Sequence, residues 1–256
     1  KLLASVNSTS ADRVLNMIQR AVTAWKSHPS STGALEKSAA ASKAPRPERY
    51  PEGGLVLKMY VRDLPRENPS WQNSRLNIDH VWITRDEVKQ FVPAGAQVGD
   101  RISVATNIVT RLARSHLVDT VRGQCPAWDP SHVRIGDVQL VVESIQDALV
   151  QLRLEGHIRL VAPPDHAVNP YNRRAVDQER GIDARLLGYL TYNREKESFE
   201  NFRMIAAGPR WGAYVYNGRA SDPGPAPIGF AFELARNDSV TDLTPPMALR
   251  AEYFGN

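Results

Sequence analysis

Apolar residues recur along this chain first at helical and then at strand spacing. In SADRVLNMIQRAVTAWKSH, Val14, Leu15, Ile18, Ala21, Val22 and Trp25 fall near one face of a helix, and Ser10 stands where an N-cap belongs. From Leu55 the period becomes two. Leu55, Leu57, Met59 and Val61 alternate with Val56, Lys58 and Tyr60, which predicts a strand with one apolar face. NIDHVWIT predicts a second strand. Thr84-Arg85-Asp86-Glu87 has the form of a capping box and opens a short helix that Pro93 and Gly95 end. A longer helix is expected at about 103–117, with Val104, Ile108, Leu112 and Leu117 on one side.

The remainder reads as antiparallel β. Val138, Leu140 and Val142 form one apolar row; Val150, Leu152, Leu154, Ile158 and Leu160 form the next. With the turn centred near Gln146-Asp147-Ala148, Asp137 is expected opposite His157, Gln139 opposite Glu155, Val141 opposite Arg153 and Glu143 opposite Gln151. ARLLGYLTYNREKESFENFRMIAA reads as strand, polar turn, strand. RWGAYVYNGRASDPGPAPIGFAFEL completes the pattern: Trp211 to Tyr216 as strand, Asn217-Gly218 as turn, Arg219 to Pro227 as a proline-stiffened loop, and Ile228 to Leu234 as the last strand.

Few parallel crossovers fit between these strands, so the expected class is α+β. The body should be a strongly curved antiparallel sheet, barrel-like or half-barrel, with two short helices; many consecutive strands have to hide their edges. A two-sheet sandwich is the alternative. The divisions expected are an amphipathic helix at 1–28, an Ala/Ser/Pro-rich linker at 29–53, a β-rich body at 54–236 and a C-terminal tail at 237–256.

Composition narrows function by exclusion. The net charge of +4 is uneven: residues 1–50 carry +5 and the remaining residues −1. Nucleic-acid binding by the near-neutral body needs a concentrated basic face, of which the linear sequence gives no sign, and no apolar run has the length of a membrane span. A single cysteine, Cys125, rules out an intramolecular disulfide and a cysteine-cluster metal site. The chain opens at Lys1 with no basic-then-apolar signal segment, and sequence before Lys1 is expected to have been removed.

Several pairs have the right chemistry for a site without completing one. Asp137 across from His157 would give a carboxylate–imidazole pair for proton transfer, or a solvated sheet face. His116 and Asp119 with Asp79 or His80 contain metal-ligand types, but adjacent Asp79 and His80 point to opposite faces of a strand. Cys125-Pro126 with His132 is a weak haem or nucleophile pattern. Arg173, Arg174, Arg180 and Arg185 could hold an oxyanion, or compensate the acids around them. No serine-nucleophile elbow or phosphate loop occurs. Neither a cofactor nor a metal is expected.

The chain therefore reads as a non-catalytic binding or interaction module, part of a larger bacterial envelope or secreted assembly, in a secreted or periplasmic location. A carrier of an apolar molecule inside the sheet is the first alternative, with Tyr60, Tyr189, Tyr192, Phe202 and Met204 as pocket walls. A hydrolase-like enzyme using Asp and His is the second. Val14, Ile18 and Trp25 would dock on a partner protein or on sequence preceding Lys1. The expected ligand-binding residues are Arg210, Trp211, Tyr214, Tyr216, Arg219 and Asp222, around the loop before the last strand.

Overall fold

The structure is a computed structural model that describes residues 16, 19, 20, 23, 48–66, 76–164, 178–235 and 240–254. The chain divides into two compact units, 1–46 and 47–256. In the first, Asn16, Gln19, Arg20 and Thr23 are helical and exposed, and Thr23 Oγ1 donates to the Gln19 carbonyl at 2.9 Å. The proposed docking residues Val14, Ile18 and Trp25 lie outside the described residues, as do Arg173 and Arg174.

The second unit contains one eight-stranded antiparallel sheet. Its strands are β1 (Leu55–Asp63), β2 (Leu76–Ile83), β3 (Arg101–Ser103), β4 (Val133–Gln146), β5 (Leu149–Ala162), β6 (Arg180–Asn193), β7 (Ser198–Trp211) and β8 (Ala226–Leu234). Their order across the sheet is β2-β1-β8-β7-β6-β5-β4-β3. Helix α1 (Arg85–Val88) follows β2, and helix α2 (Thr106–Arg111) runs on into a π turn, Leu112–His116. The expected capping box at α1 is present: Thr84 Oγ1 accepts from Glu87 N–H, and Glu87 Oε2 accepts from Thr84 N–H.

The sheet is open, so it departs from the closed form of the expected barrel. Its two edges are partly covered instead of joined. At β2, the Trp82 amide donates to the Tyr253 hydroxyl and the Met247 amide donates to Asp79 Oδ1, so the C-terminal segment lies along the outer strand. At the other end, β3 is only three residues long, and Val104 and Gly99 extend its cover by donating to the Val138 and Val142 carbonyls. The short β3 and the C-terminal segment blunt part of each edge, a device that open sheets use in place of closure.

One core joins the apolar rows of the strands to α2. Leu57, Met59, Val61, Leu140, Leu152, Ile158, Ile182, Phe202 and Met204 pack with Ile108, Ala113 and Leu117. The void left between helix and sheet, lined by Leu57, Ile108, Phe202 and Met204 among others, is about 30 Å³, room for about one water. Tyr192, Phe202 and Met204 are core residues, whereas Tyr189 stands exposed on the opposite face.

The β4–β5 register matches the expectation for Asp137↔His157, Gln139↔Glu155 and Val141↔Arg153. It then slips, because a bulge between Val142 and Ser144 sets Ser144 opposite Gln151. The last strand pair also differs. β7 ends at Trp211 and does not continue to Tyr216. Gly212 turns the chain with φ +80°, and its amide donates to the Pro223 carbonyl, tying the ends of a 212–225 loop together.

Candidate functional site: an arginine–aspartate knot beneath a surface loop

Three strands carry charge where their apolar rows should continue. On β1 the row Leu55, Leu57, Met59, Val61 ends at Asp63; on β7, Phe202, Met204 and Ala206 lead to Arg210; on β6, Arg180 precedes Ile182, Ala184 and Leu186. All three are buried, and the register brings them to the same end of the sheet: Asp63 pairs with Ile228, and Arg210 with both Ala226 and Ile182. A buried charge costs several kcal/mol unless paired and hydrogen-bonded. The loop after α2 and the loop before β8 supply the partners.

Arg219 is the centre, with no exposed surface. Its Nη1 and Nη2 donate to Asp63 Oδ2 and Oδ1 at 2.9 and 2.7 Å. Its Nε and Nη2 donate to Asp119 Oδ2 and Oδ1 at 2.7 and 2.8 Å. Arg122 adds two bonds to Asp63 Oδ2 and reaches Asp222 Oδ2 at 2.9 Å. Arg210 bonds both the carbonyl and Oδ2 of Asp222, and Arg66 grips both Asp222 oxygens at 2.9 and 3.0 Å. Paired forks of this kind fix orientation as well as charge.

The titration behaviour follows from the packing. Burial pushes Asp63 upward, but hydrogen bonds and charge from Arg219 and Arg122 outweigh it and hold the carboxyl below its usual range. Asp222 shows the same competition, with Arg66 and Arg210 holding it well below. For Arg219, burial opposes the cation and is overcome by Asp119 and Asp63, which raise it further. Arg210 moves the other way, lowered by burial and then by repulsion from Arg219.

Above the knot sits the 212–225 loop. Asn217 is buried and its Oδ1 accepts from the amides of Tyr214 and Arg219, which closes the turn; Gly218 has φ +66°. The loop backs onto the 118–128 segment through Gln124 N–H to the Tyr216 carbonyl at 2.9 Å. A side chain at Gly123 would meet that carbonyl at 2.1 Å, so only glycine permits this approach. Tyr216 is exposed and Tyr214 half-buried, their rings 6.1 Å apart. Trp211 lies across Gly181 and donates its indole N–H to Glu179 Oε1 at 3.0 Å. The six residues expected at the loop thus divide. Arg210 and Arg219, both buried, and the half-buried Asp222 form its footing, and Trp211, Tyr214 and Tyr216 stand nearer the surface.

Beside the knot, the Arg180 guanidinium stacks on Trp128 at 4.2 Å and faces Tyr214 at 5.8 Å. Its Nη1 donates to Cys125 Sγ at 3.4 Å. Burial pushes the Cys125 thiol up to about 12 against the pull of Arg180, the reverse of what a reactive thiolate needs.

The other sequence candidates are dispersed. Asp119 is committed to Arg219, while His116 has other partners. His116 is buried; its Nε2 lies 2.8 Å from the Tyr253 hydroxyl and its Nδ1 3.5 Å from Asp79 Oδ2, so it does not serve the end of α2 as an exposed cation. His80 is on the other face of β2, with Lys58 opposite it. Among the described residues no cluster of three or more His, Cys, Asp or Glu has metal-binding geometry. His157 bonds Asp183 on β6 at 2.7 Å, although Asp137 is its partner in register on β4. His132 turns back to Asp129, whose amide its Nδ1 accepts at 3.1 Å.

Asp63, Arg66, Arg122 and Trp128 were not among the expected site residues. The signal for Asp63 was present in the sequence, as an acid at the last position of an apolar row. No described helix is long and apolar enough to cross a membrane. The chain matches no protein-family model, no curated protein and no solved structure.

Proposed function

We propose that this protein is a non-catalytic binding module whose recognition surface is the 212–225 loop with its flanking aromatics. The observation that carries the reading is the double fork of Arg219, which ties this surface loop to Asp63 at the end of β1 and Asp119 after α2. A loop locked before contact loses less conformational entropy on binding. Aromatic side chains on such a footing are the residue types that anchor interfaces. The alternatives draw less support. A void of about 30 Å³ is far smaller than a ligand pocket, which disfavours a carrier. His116 and Asp79 are sealed beneath Tyr253, away from any substrate.

The test is site-specific photocrosslinking with benzoylphenylalanine at Tyr216, compared with the same group at Tyr189 on the exposed sheet face. Saturable capture of one discrete partner from position 216 alone, lost on Trp211→Ala with the fold intact, is expected. Equal capture from both positions, or none from 216, would reject the loop as the recognition surface.

A further inference from the structure

We infer that Arg180 is the oxyanion-recognising residue of this surface, holding a carboxylate or phosphate group of the ligand; the inference rests on the reading of the 212–225 loop as a binding site. Five arginines (66, 122, 180, 210 and 219) gather at this end of the sheet against Asp63, Asp119 and Asp222. Four of the five spend their charge on those carboxylates. Arg180 does not. It is 7% exposed, yet among the described residues it forms no ion pair, and its one side-chain hydrogen bond goes to a thiol. Glu179, its chain neighbour, is turned to the Trp211 indole.

A guanidinium nine-tenths buried without a counter-charge is costly unless a ligand supplies one. The residue is not fully enclosed, with 7% of its surface exposed, which leaves a ligand an approach. Trp128 covers one face of the guanidinium plane, itself 2% exposed and fixed by an indole bond to the Leu117 carbonyl at 2.8 Å. Stacking occupies the face and leaves the edge of the fork for in-plane donation to two oxygens. Tyr214 brings the recognition loop to the same group. The ligand class that matches is a compact planar or tetrahedral oxyanion.

The test is an NMR titration of the whole chain with sodium acetate and, separately, sodium phosphate, against sodium chloride at matched ionic strength. Saturable shifts are expected at the Trp128 indole N–H and at the amides of Cys125, Arg180 and Tyr214. The tighter of the two arms identifies the anion as carboxylate or phosphate. Arg180→Gln should weaken binding at least tenfold, and Arg180→Lys, which keeps the charge but not the fork, should weaken it as well. Shifts that chloride reproduces, or that survive in Arg180→Gln, overturn the site. Should Arg180→Gln fail to fold, Arg180→Lys decides by the same titration: weakened saturable shifts at the Trp128 indole N–H support the site, and shifts as tight as in the unmodified protein reject it. Capture at position 216 without any anion response would sink the Arg180 site alone. Anion binding without capture at 216 would sink the loop reading alone.

Discussion

Arg219 and Asp119 stand one hundred residues apart in the chain and meet side by side, Nε to Oδ2 at 2.7 Å and Nη2 to Oδ1 at 2.8 Å. The same guanidinium turns its other edge to Asp63. Replacing it with Met leaves two carboxylates with reduced compensation at the end of the core. Breaking a buried pair in this way costs about 3–5 kcal/mol, and Arg219→Lys should recover only part, because an ammonium cannot serve both carboxylates as a fork. Urea unfolding measures the loss; Arg185→Ala, on the exposed face, is the control and should stay within about 0.5 kcal/mol.

Acid should loosen the same knot. Asp63 and Asp222 are depressed by their arginines in the folded state. A carboxylate depressed on folding stabilises the protein above its unfolded pKa of about 3.9, and that contribution drains away as pH falls from about 5 through the folded value. Urea midpoints should therefore decline on acidification below pH 5. Asp222→Asn, which removes one of the two groups, should decline less steeply; identical slopes would show that Asp222 is not linked to stability in this way.

Gly212 is where the loop leaves β7. At φ +80° an added Cβ would sit 2.1 Å from the Glu179 carbonyl. Gly212→Ala should cost about 1–3 kcal/mol from backbone strain alone, with the clash adding to it. Gly95→Ala, where a Cβ would meet nothing within 4 Å, should be nearly neutral in the same thermal melts.

Tyr253 holds the C-terminal segment over the edge of β2. Tyr253→Phe keeps the ring under Arg111 but strips the acceptor from Trp82 N–H and the partner from His116 Nε2. Leaving buried polar groups unpaired costs about 1–3 kcal/mol. Hydrogen exchange at the Trp82 amide should accelerate more than at the Leu152 amide in the middle of the sheet.

The strands were legible because period-two rows such as Val150, Leu152 and Leu154 follow directly from one face being buried. The Asp137↔His157 register was legible for the same reason, up to the bulge after Val142, which no row of apolar residues announces. β3 was missed because three residues are too short to show a period. The end of β7 was missed because Ala213, Tyr214 and Val215 continue an apolar pattern, while the Gly212 turn and the buried Asn217 decide against a strand. At the site, Arg210, Arg219 and Asp222 could be picked from local composition. Their pairing with Asp63, Asp119 and Arg122 could not, because those partners come from distant segments that only the fold brings together.

The strand order also dictates how this body must be built. From β4 to β8 every neighbour in the sheet is the next strand in sequence, so each hairpin can form by closing a local loop. β1 is the exception. It is synthesised first, yet it docks on β8, with Leu57 opposite Leu234. Closing so long a loop is slow relative to hairpin formation. The meander should mature first and receive the β1–β2 pair as a late, long-range step. Asp63 travels with that pair, so the arginine–aspartate knot records the completion of folding, and a chain halted before β8 would leave β1 without its second neighbour.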